Sequence, residues 1–265
     1  MIDTMRVKAP DGVSSAARVA GTKGPALVFV HGVGSTAAIW DSQLAAFSKT
    51  NRCFAIELRG NGVPKPEPDP ALITREGYVA DVLAIMDSVR ISRFTLVGCS
   101  LGGVVGFELW KRVPQRIAAL TIVGSFARYP DAQAYADGVK NGAKLAGDMR
   151  TFARERAGKL GLPPDRMSET LDQMACKALP SYLAATQATW TGDYRALLPT
   201  IAVPTWVVCG ENDKVAPLAL SREIADAIPG ATLSVIPGAG HVTNADAPKI
   251  FNDGLREFLL RAKIA

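Results

Sequence analysis

The run Phe94-Thr95-Leu96-Val97-Gly98-Cys99-Ser100-Leu101-Gly102-Gly103 constrains this chain of 265 residues more than any other segment. An apolar, strand-like stretch ends in Gly-x-Ser-x-Gly, and a helix-like stretch, Val104 to Arg112, follows at once. A chain that passes from strand to helix in so few residues needs glycine at positions 98 and 102, where side chains would collide. The turn lifts the Ser100 hydroxyl clear of the backbone and sets it at a helix N-terminus, whose dipole favours negative charge. Gly-x-Ser-x-Gly alone is a weak signal. Its position between strand and helix gives it weight.

Serine is a poor nucleophile unless a base and an orienting acid accompany it. The chain has only two histidines, His31 and His241. His241 stands in Pro237-Gly238-Ala239-Gly240-His241, just past the apolar stretch Thr232 to Ile236, where it can reach over the C-terminal edge of a sheet. The acid candidate is Asp213, in Gly210-Glu211-Asn212-Asp213, directly after the buried-looking stretch Thr205 to Cys209. Taken singly, His241 reads equally well as a loop histidine and Asp213 as a turn residue. The elbow together with the chain order Ser100, Asp213, His241 favours a catalytic triad.

His31 belongs to the same picture in another way. The short strand Leu27–Val30 runs into His31-Gly32-Val33-Gly34. A loop after an early central strand can supply one backbone N–H to an oxyanion hole, and the residue after the elbow serine supplies the other. Those amides map to Val33 and Leu101. The His31 imidazole itself reads as structural.

Strand-like and helix-like segments alternate, which predicts a mostly parallel sheet covered by helices on both faces. A hairpin around Val7 and Ala16–Ala20 opens the chain, and strands are expected at Leu27–Val30, Cys53–Ile56, Phe94–Gly98, Leu120–Val123, Thr205–Cys209 and Thr232–Ile236. Val79, Val82, Leu83 and Met86 form a helical stripe within Arg75–Val89, and Phe251, Leu255, Phe258 and Leu259 mark a terminal helix opened by Pro248. The stretch Pro64–Pro70 reads as a loop. The alternation breaks at Phe126–Ala196, which has helix-like pieces, breakers at Pro163-Pro164 and Pro180, and no convincing strand. We read 1–125 and 197–265 as the core and 126–196 as an inserted helical cap. Its aromatic and sulfur residues are pocket candidates, Trp190 and Phe126 among them, with Trp40 past the oxyanion loop as a further candidate wall.

Composition narrows the class. A hydrophobic fraction of 48% fits a well-filled core, and the net charge of +5 is spread without a basic run, which argues against nucleic-acid binding. The four cysteines show no CxxC spacing, so no zinc site or disulfide framework is indicated. Met1–Arg6 has no apolar signal region and no run approaches membrane-spanning length. A reducing cytoplasm, no membrane and no cofactor are the expectations. A homo-oligomer stays compatible with the sequence.

These motifs together resemble an α/β-hydrolase-fold serine hydrolase across the whole chain. His31-Gly32-Val33-Gly34, Glu57-Leu58-Arg59-Gly60-Asn61-Gly62, Gly98-Cys99-Ser100-Leu101-Gly102, Gly210-Glu211-Asn212-Asp213 and Gly240-His241 stand in that family's order. Trp40 and Leu197–Thr205 are similar to the 3-oxoadipate enol-lactonase-like branch. The family more often carries Asp-x-x-Gly-His-Gly where Glu57 and Asn61 stand here, positions read as structural. The resemblance implies a metal-free hydrolase of a small-molecule ester or (enol-)lactone. A serine at position 100 departs from the aspartate nucleophile of haloalkane dehalogenases and epoxide hydrolases. The rival readings are a C–C hydrolase acting on a vinylogous 1,5-diketone and a non-catalytic receptor on the same fold.

Overall fold

The structure is a computed structural model that describes residues 2–61, 67–158, 160 and 164–264. The chain opens with a hairpin of β1 (Asp3–Lys8) and β2 (Ser14–Ala20), then β3 (Ala26–Val30), α1 (Asp41–Phe47), β4 (Arg52–Glu57) and α2 (Arg75–Ser88). It continues through β5 (Phe94–Cys99), α3 (Leu101–Arg112) and β6 (Ile117–Val123). Four helices follow: α4 (Ala132–Ala146), α5 (Met149–Ala157), α6 (Pro164–Ala175) and α7 (Leu179–Trp190). The last part is β7 (Thr205–Gly210), α8 (Leu218–Ala227), β8 (Thr232–Ile236), the single turn α9 (Thr243–Asp246) and α10 (Pro248–Arg261).

The eight strands form one sheet in the order β1-β2-β4-β3-β5-β6-β7-β8. The pairs β1–β2 and β2–β4 are antiparallel, and every other pair is parallel. Each residue of β3, β5 and β7 is buried, as a parallel sheet covered on two faces demands. On one face Val79, Val82 and Met86 of α2 pack with Val104 and Val105 of α3 and Ile224 of α8. On the other, Leu44 and Phe47 of α1 pack with Phe251, Leu255 and Phe258 of α10. The chain steps outward from β3 to β4 and then returns past β3 to β5. The reversal leaves a crevice at the C-terminal ends of β3 and β5, where open α/β sheets bind ligands.

Among the described residues between β6 and β7 the structure is helical, apart from a single antiparallel bridge joining Arg128 to Asp193. That bridge, with the Tyr194 N–H donating to the Ala127 carbonyl at 2.8 Å, ties the insertion's entry to its exit. Val139, Phe152, Ala153, Met174 and Tyr182 build a small core within the insertion. Phe126 and Trp190, at its ends, pack into the main core instead.

Boundaries differ from the sequence expectation by a few residues, most at β6, which begins at Ile117. Pro164 and Pro180, read as breakers, stand in the first turns of α6 and α7, where a missing N–H costs nothing. Pro163 lies outside the described residues, as do residues 64–66 of the Pro64–Pro70 loop, whose Pro70 opens a short 3-10 turn. Among the described residues no helix is long and apolar enough to cross a membrane.

Two outcomes test this packing. A β-carbon on Gly102 would stand 2.1 Å from the Val30 carbonyl oxygen, whereas one on Gly138, within α4, meets nothing within 4 Å. Gly102→Ala should therefore destabilise by more than about 2 kcal/mol. Gly138→Ala should stabilise by about 0.5–1 kcal/mol in urea unfolding, since alanine only adds helix propensity there. Cys53, Cys99 and Cys209 are buried and Cys176 is exposed, all as free thiols. Burial pushes the Cys53 thiol up to about 12. A disulfide reagent at mildly alkaline pH should titrate one thiol of the native chain rapidly, with the others reacting only on unfolding.

Candidate active site

Parallel pairing sets Val30 of β3 beside Gly98 of β5, so the loop after one strand and the turn after the other begin side by side. The β5 turn is very tight. A β-carbon on Gly98 would meet the Gly102 carbonyl oxygen at 2.1 Å, and Ser100 takes φ 54° and ψ −112°, a region that non-glycine residues seldom occupy. The Ser100 N–H donates to the Val123 carbonyl at 2.8 Å, and the Ser125 hydroxyl donates to the Ser100 carbonyl at 2.8 Å. Both ends of the strained peptide are thereby anchored to the segment that follows β6.

The candidate acid and base come from the next two strand ends. Asp213 follows β7, and its Oδ1 accepts the N–H groups of Val215 at 2.9 Å and Ala216 at 2.8 Å. These two bonds fix how the carboxylate is turned. His241 follows β8, with Nδ1 standing 3.0 Å from Asp213 Oδ1 and 2.9 Å from Oδ2. An imidazole that donates Nδ1–H to a carboxylate keeps its lone pair on Nε2, the nitrogen that can accept a proton. Gly124, at φ +50°, leaves room for the pair: a β-carbon there would stand 3.0 Å from Asp213 Oδ2 and 3.2 Å from His241 Nδ1.

Ser100, His241 and Val33 line one pocket, and Asp213 stands behind the imidazole. The Val33 and Leu101 amides find no protein acceptor among the described residues, and Leu101 opens α3, where such orphan donors belong. Among the described residues the Leu101 amide, next to Ser100 in the chain, and the Val33 amide, on a residue of the same pocket, are thus left unpaired. Cys99, next to Ser100, is no rival nucleophile. Burial raises its thiol well above the usual range, and the Asp213 and Asp246 carboxylates push it further the same way.

His31 is fully buried and away from the pocket wall. Its Nε2 accepts the Leu58 N–H at 3.2 Å, so Nδ1 carries the proton and donates to the Gly32 carbonyl at 2.8 Å. The ring braces the loop that carries Val33. Glu57 Oε2 accepts the Ala37 N–H at 2.9 Å, and Asn61 caps the Leu58 and Arg59 carbonyls, so both hold backbone.

The far wall belongs to the helical insertion and includes Met174, Tyr182, Trp190 and Arg156. Of the expected walls, Trp190 lies on the pocket and two do not. Trp40 is fully buried with its ring 5.3 Å from Phe29 and 6.2 Å from Phe251, because the short 3-10 turn Ala37–Trp40 delivers it to the α1/α10 face of the sheet. Phe126 stands one layer behind the wall, 4.9 Å from the Tyr129 ring and 5.9 Å from Trp190. Arg156 and Gly124 were missed. One is a single arginine in a charged helix, and the other is a glycine whose neighbours become visible only in three dimensions.

Comparisons with known proteins bear on the fold and the family. A family model described as "Alpha/beta hydrolase family" matches residues 27–253. The chain is 26% identical over 245 residues to 3-oxoadipate enol-lactonase 2 of Acinetobacter baylyi, covering 89% of each protein. It is 27% identical to a putative carbamate hydrolase, RutD, of Stutzerimonas stutzeri, covering 89% of this chain and 91% of the relative. A solved hydrolase from Pseudomonas aeruginosa superimposes with a TM-score of 0.88 at 28% identity, covering 97% of this chain and 98% of that one. With an eight-stranded sheet, the elbow at its switch point and a family match over most of its length, the chain belongs to the alpha/beta hydrolase family.

Proposed function

We propose that this protein is a serine hydrolase of small carboxylic esters or lactones, enol-lactones included, working through an acyl-enzyme. The observation that carries the reading is the pocket shared by Ser100, His241 and Val33, with Asp213 bonded behind the imidazole and the unpaired Leu101 amide next to Ser100 in the chain. The similarity to an enol-lactonase over nearly the whole chain supports the bond type.

His241 Nε2 takes the Ser100 proton as Oγ attacks the carbonyl carbon. Asp213 holds the tautomer and stabilises the imidazolium that forms. The Val33 and Leu101 amides receive the developing oxyanion, and donors so aimed are typically worth about 10²–10³-fold each in rate. The imidazolium then protonates the leaving oxygen. In a lactone that oxygen stays tethered to the acyl group. Water, deprotonated by His241, releases the acid and restores Ser100. In this reading residues 126–196 form the cap that selects the substrate, while 1–125 and 197–265 form the core that performs the reaction.

A graded panel of p-nitrophenyl esters, lactones and a carbamate tests the class directly. A carbamate turned over faster than every ester would move the reading toward the RutD relative. Ser100→Ala should fold normally, lose labelling by a fluorophosphonate and fall by at least about 10³-fold in kcat. More than a tenth of wild-type activity in this variant would refute the nucleophile. His241→Gln should match that loss at unchanged thermal stability. His31→Gln should lower stability first, since it removes the brace on Gly32 and Leu58.

Trp190→Ala opens the wall without touching the triad. It should change relative kcat/KM between short and bulky acyl groups, each methylene of fit being worth about 1–3 kcal/mol. Uniform scaling across the series would put Trp190 outside the acyl site.

A further inference from the structure

A guanidinium shares the pocket with Ser100 and His241, and the hydrolytic steps leave it without a task. Arg156, on α5, is partly buried and lines the same cavity. Its Nη2 donates to the Tyr135 hydroxyl at 2.6 Å, and its Nε donates to the Tyr182 hydroxyl at 3.4 Å. The guanidinium carbon lies 5.5 Å from the centre of the Tyr135 ring, a cation–π distance. Tyr135 in turn stacks on Trp190, with ring centres 5.0 Å apart and planes 13° from parallel. The cation is therefore held in place by aromatic groups that form or back the pocket wall.

Its charge is not answered. Among the described residues no carboxylate lies within ion-pair distance of Arg156, and both hydrogen-bond partners are neutral phenols. Two other arginines withdrawn from water carry carboxylate partners, whereas Arg52 and Arg75, partly buried as well, bond neutral oxygens of Gly24, Ala188 and Thr191. Arg59, fully buried, meets Asp11 and Asp81, and Arg116 meets Asp87. Arginine has five N–H donors in a planar fork, and the two bonds to tyrosine leave Nη1 and one N–H of Nη2 open. A partly buried cation without a counter-charge is costly to maintain, and a planar fork with open donors matches a carboxylate. The rest of the wall is largely apolar (Val33, Leu160, Met174, Val215), so this one cation is placed to orient a ligand.

We infer that Arg156 is the specificity-determining residue of the pocket, binding a carboxylate that the ester or lactone substrate carries away from its scissile carbonyl. The inference rests on the hydrolase reading for the identity of the ligand, and on the pocket geometry alone for the anion site. The competing possibility is a brace, in which Arg156 only joins Tyr135 of α4 to Tyr182 of α7.

A matched ester pair separates the two. Mono-p-nitrophenyl succinate and p-nitrophenyl butyrate have acyl chains of the same shape, differing by a terminal carboxylate in place of a methyl group. Wild type should favour the succinyl ester in kcat/KM by at least about tenfold, and high salt should shrink that ratio. Arg156→Met should bring the ratio towards one, and Arg156→Lys, which keeps the charge but loses the fork, should leave it in between. No preference in wild type, or both esters scaled alike by Arg156→Met, would overturn the proposal in favour of the brace. The wild-type ratio and the lysine variant decide the matter even if the methionine variant does not fold.

Binding supplies a readout free of turnover. Ser100→Ala should bind monoethyl succinate more tightly than diethyl succinate by calorimetry, and adding Arg156→Met should abolish the difference. If that difference appears while neither nitrophenyl ester is cleaved, the hydrolase reading fails and the anion site stands. If both esters are cleaved without an anionic preference, the anion site fails and the hydrolase reading stands.

Discussion

The Val30 carbonyl presses against Gly102 in the first turn of α3, at a distance that excludes even a methyl group. Because helix and strand approach so closely, the chain between Cys99 and Leu101 must reverse within one residue, and Ser100 takes up the strain. Backbone in such a region costs about 1–3 kcal/mol, and it persists only where its surroundings over-determine it. Here the Val123 carbonyl and the Ser125 hydroxyl do so from the neighbouring strand's end. The same reversal leaves the Leu101 amide without a partner, and parallel pairing of β3 with β5 brings the Val33 loop alongside. The positions of Ser100 and of the two unpaired amides are thus consequences of one close contact between backbones.

The Asp213–His241 pair depends on the sheet in a similar way. Asp213 is locked by two amides of its own turn, and the loop carrying His241 packs so near Gly210 that a β-carbon there would meet the Gly240 carbonyl at 2.0 Å. The insertion touches this arrangement directly, since the His241 N–H donates to the Leu160 carbonyl at 3.3 Å. It is held elsewhere by side chains of the core. Arg75 grips the Ala188 carbonyl and the Thr191 hydroxyl, each at 2.7 Å, and Tyr194 donates to Glu108 at 2.8 Å. The core places Ser100, Asp213 and His241 through backbone, while the insertion builds its wall from side chains.

That difference explains what the sequence revealed. Backbone constraints demand particular residues at particular spacings, so Gly98, Gly102, the loop at His31–Gly34 and the order of Ser100, Asp213 and His241 were all legible. The buried strands were legible too, because covering both faces of a sheet requires continuous apolar runs. The pocket wall was not. Trp40 follows the oxyanion loop in sequence, yet one 3-10 turn sends its ring to the opposite face of the sheet, and no local pattern encodes that direction. Phe126 and Trp190 are both aromatic residues at the ends of the insertion, but only the second borders the cavity. Gly124 has no signature at all, since its need for space arises from residues far along the chain.

The charge of the pocket links the wall back to the chemistry. In the proposed reaction, proton transfer from Ser100 makes His241 an imidazolium, and Asp213 can balance only that one positive charge. Arg156 adds a second cation to the same cavity, and in a largely apolar cavity like charges are poorly screened. With the cavity empty of anions, Arg156 therefore opposes the step that Asp213 favours. A carboxylate seated on the guanidinium removes that opposition as it binds, so the interaction gains strength when the imidazolium forms. Binding energy that grows towards the transition state raises kcat as well as affinity. A neutral substrate of equal shape would fill the same space and leave the two cations facing one another.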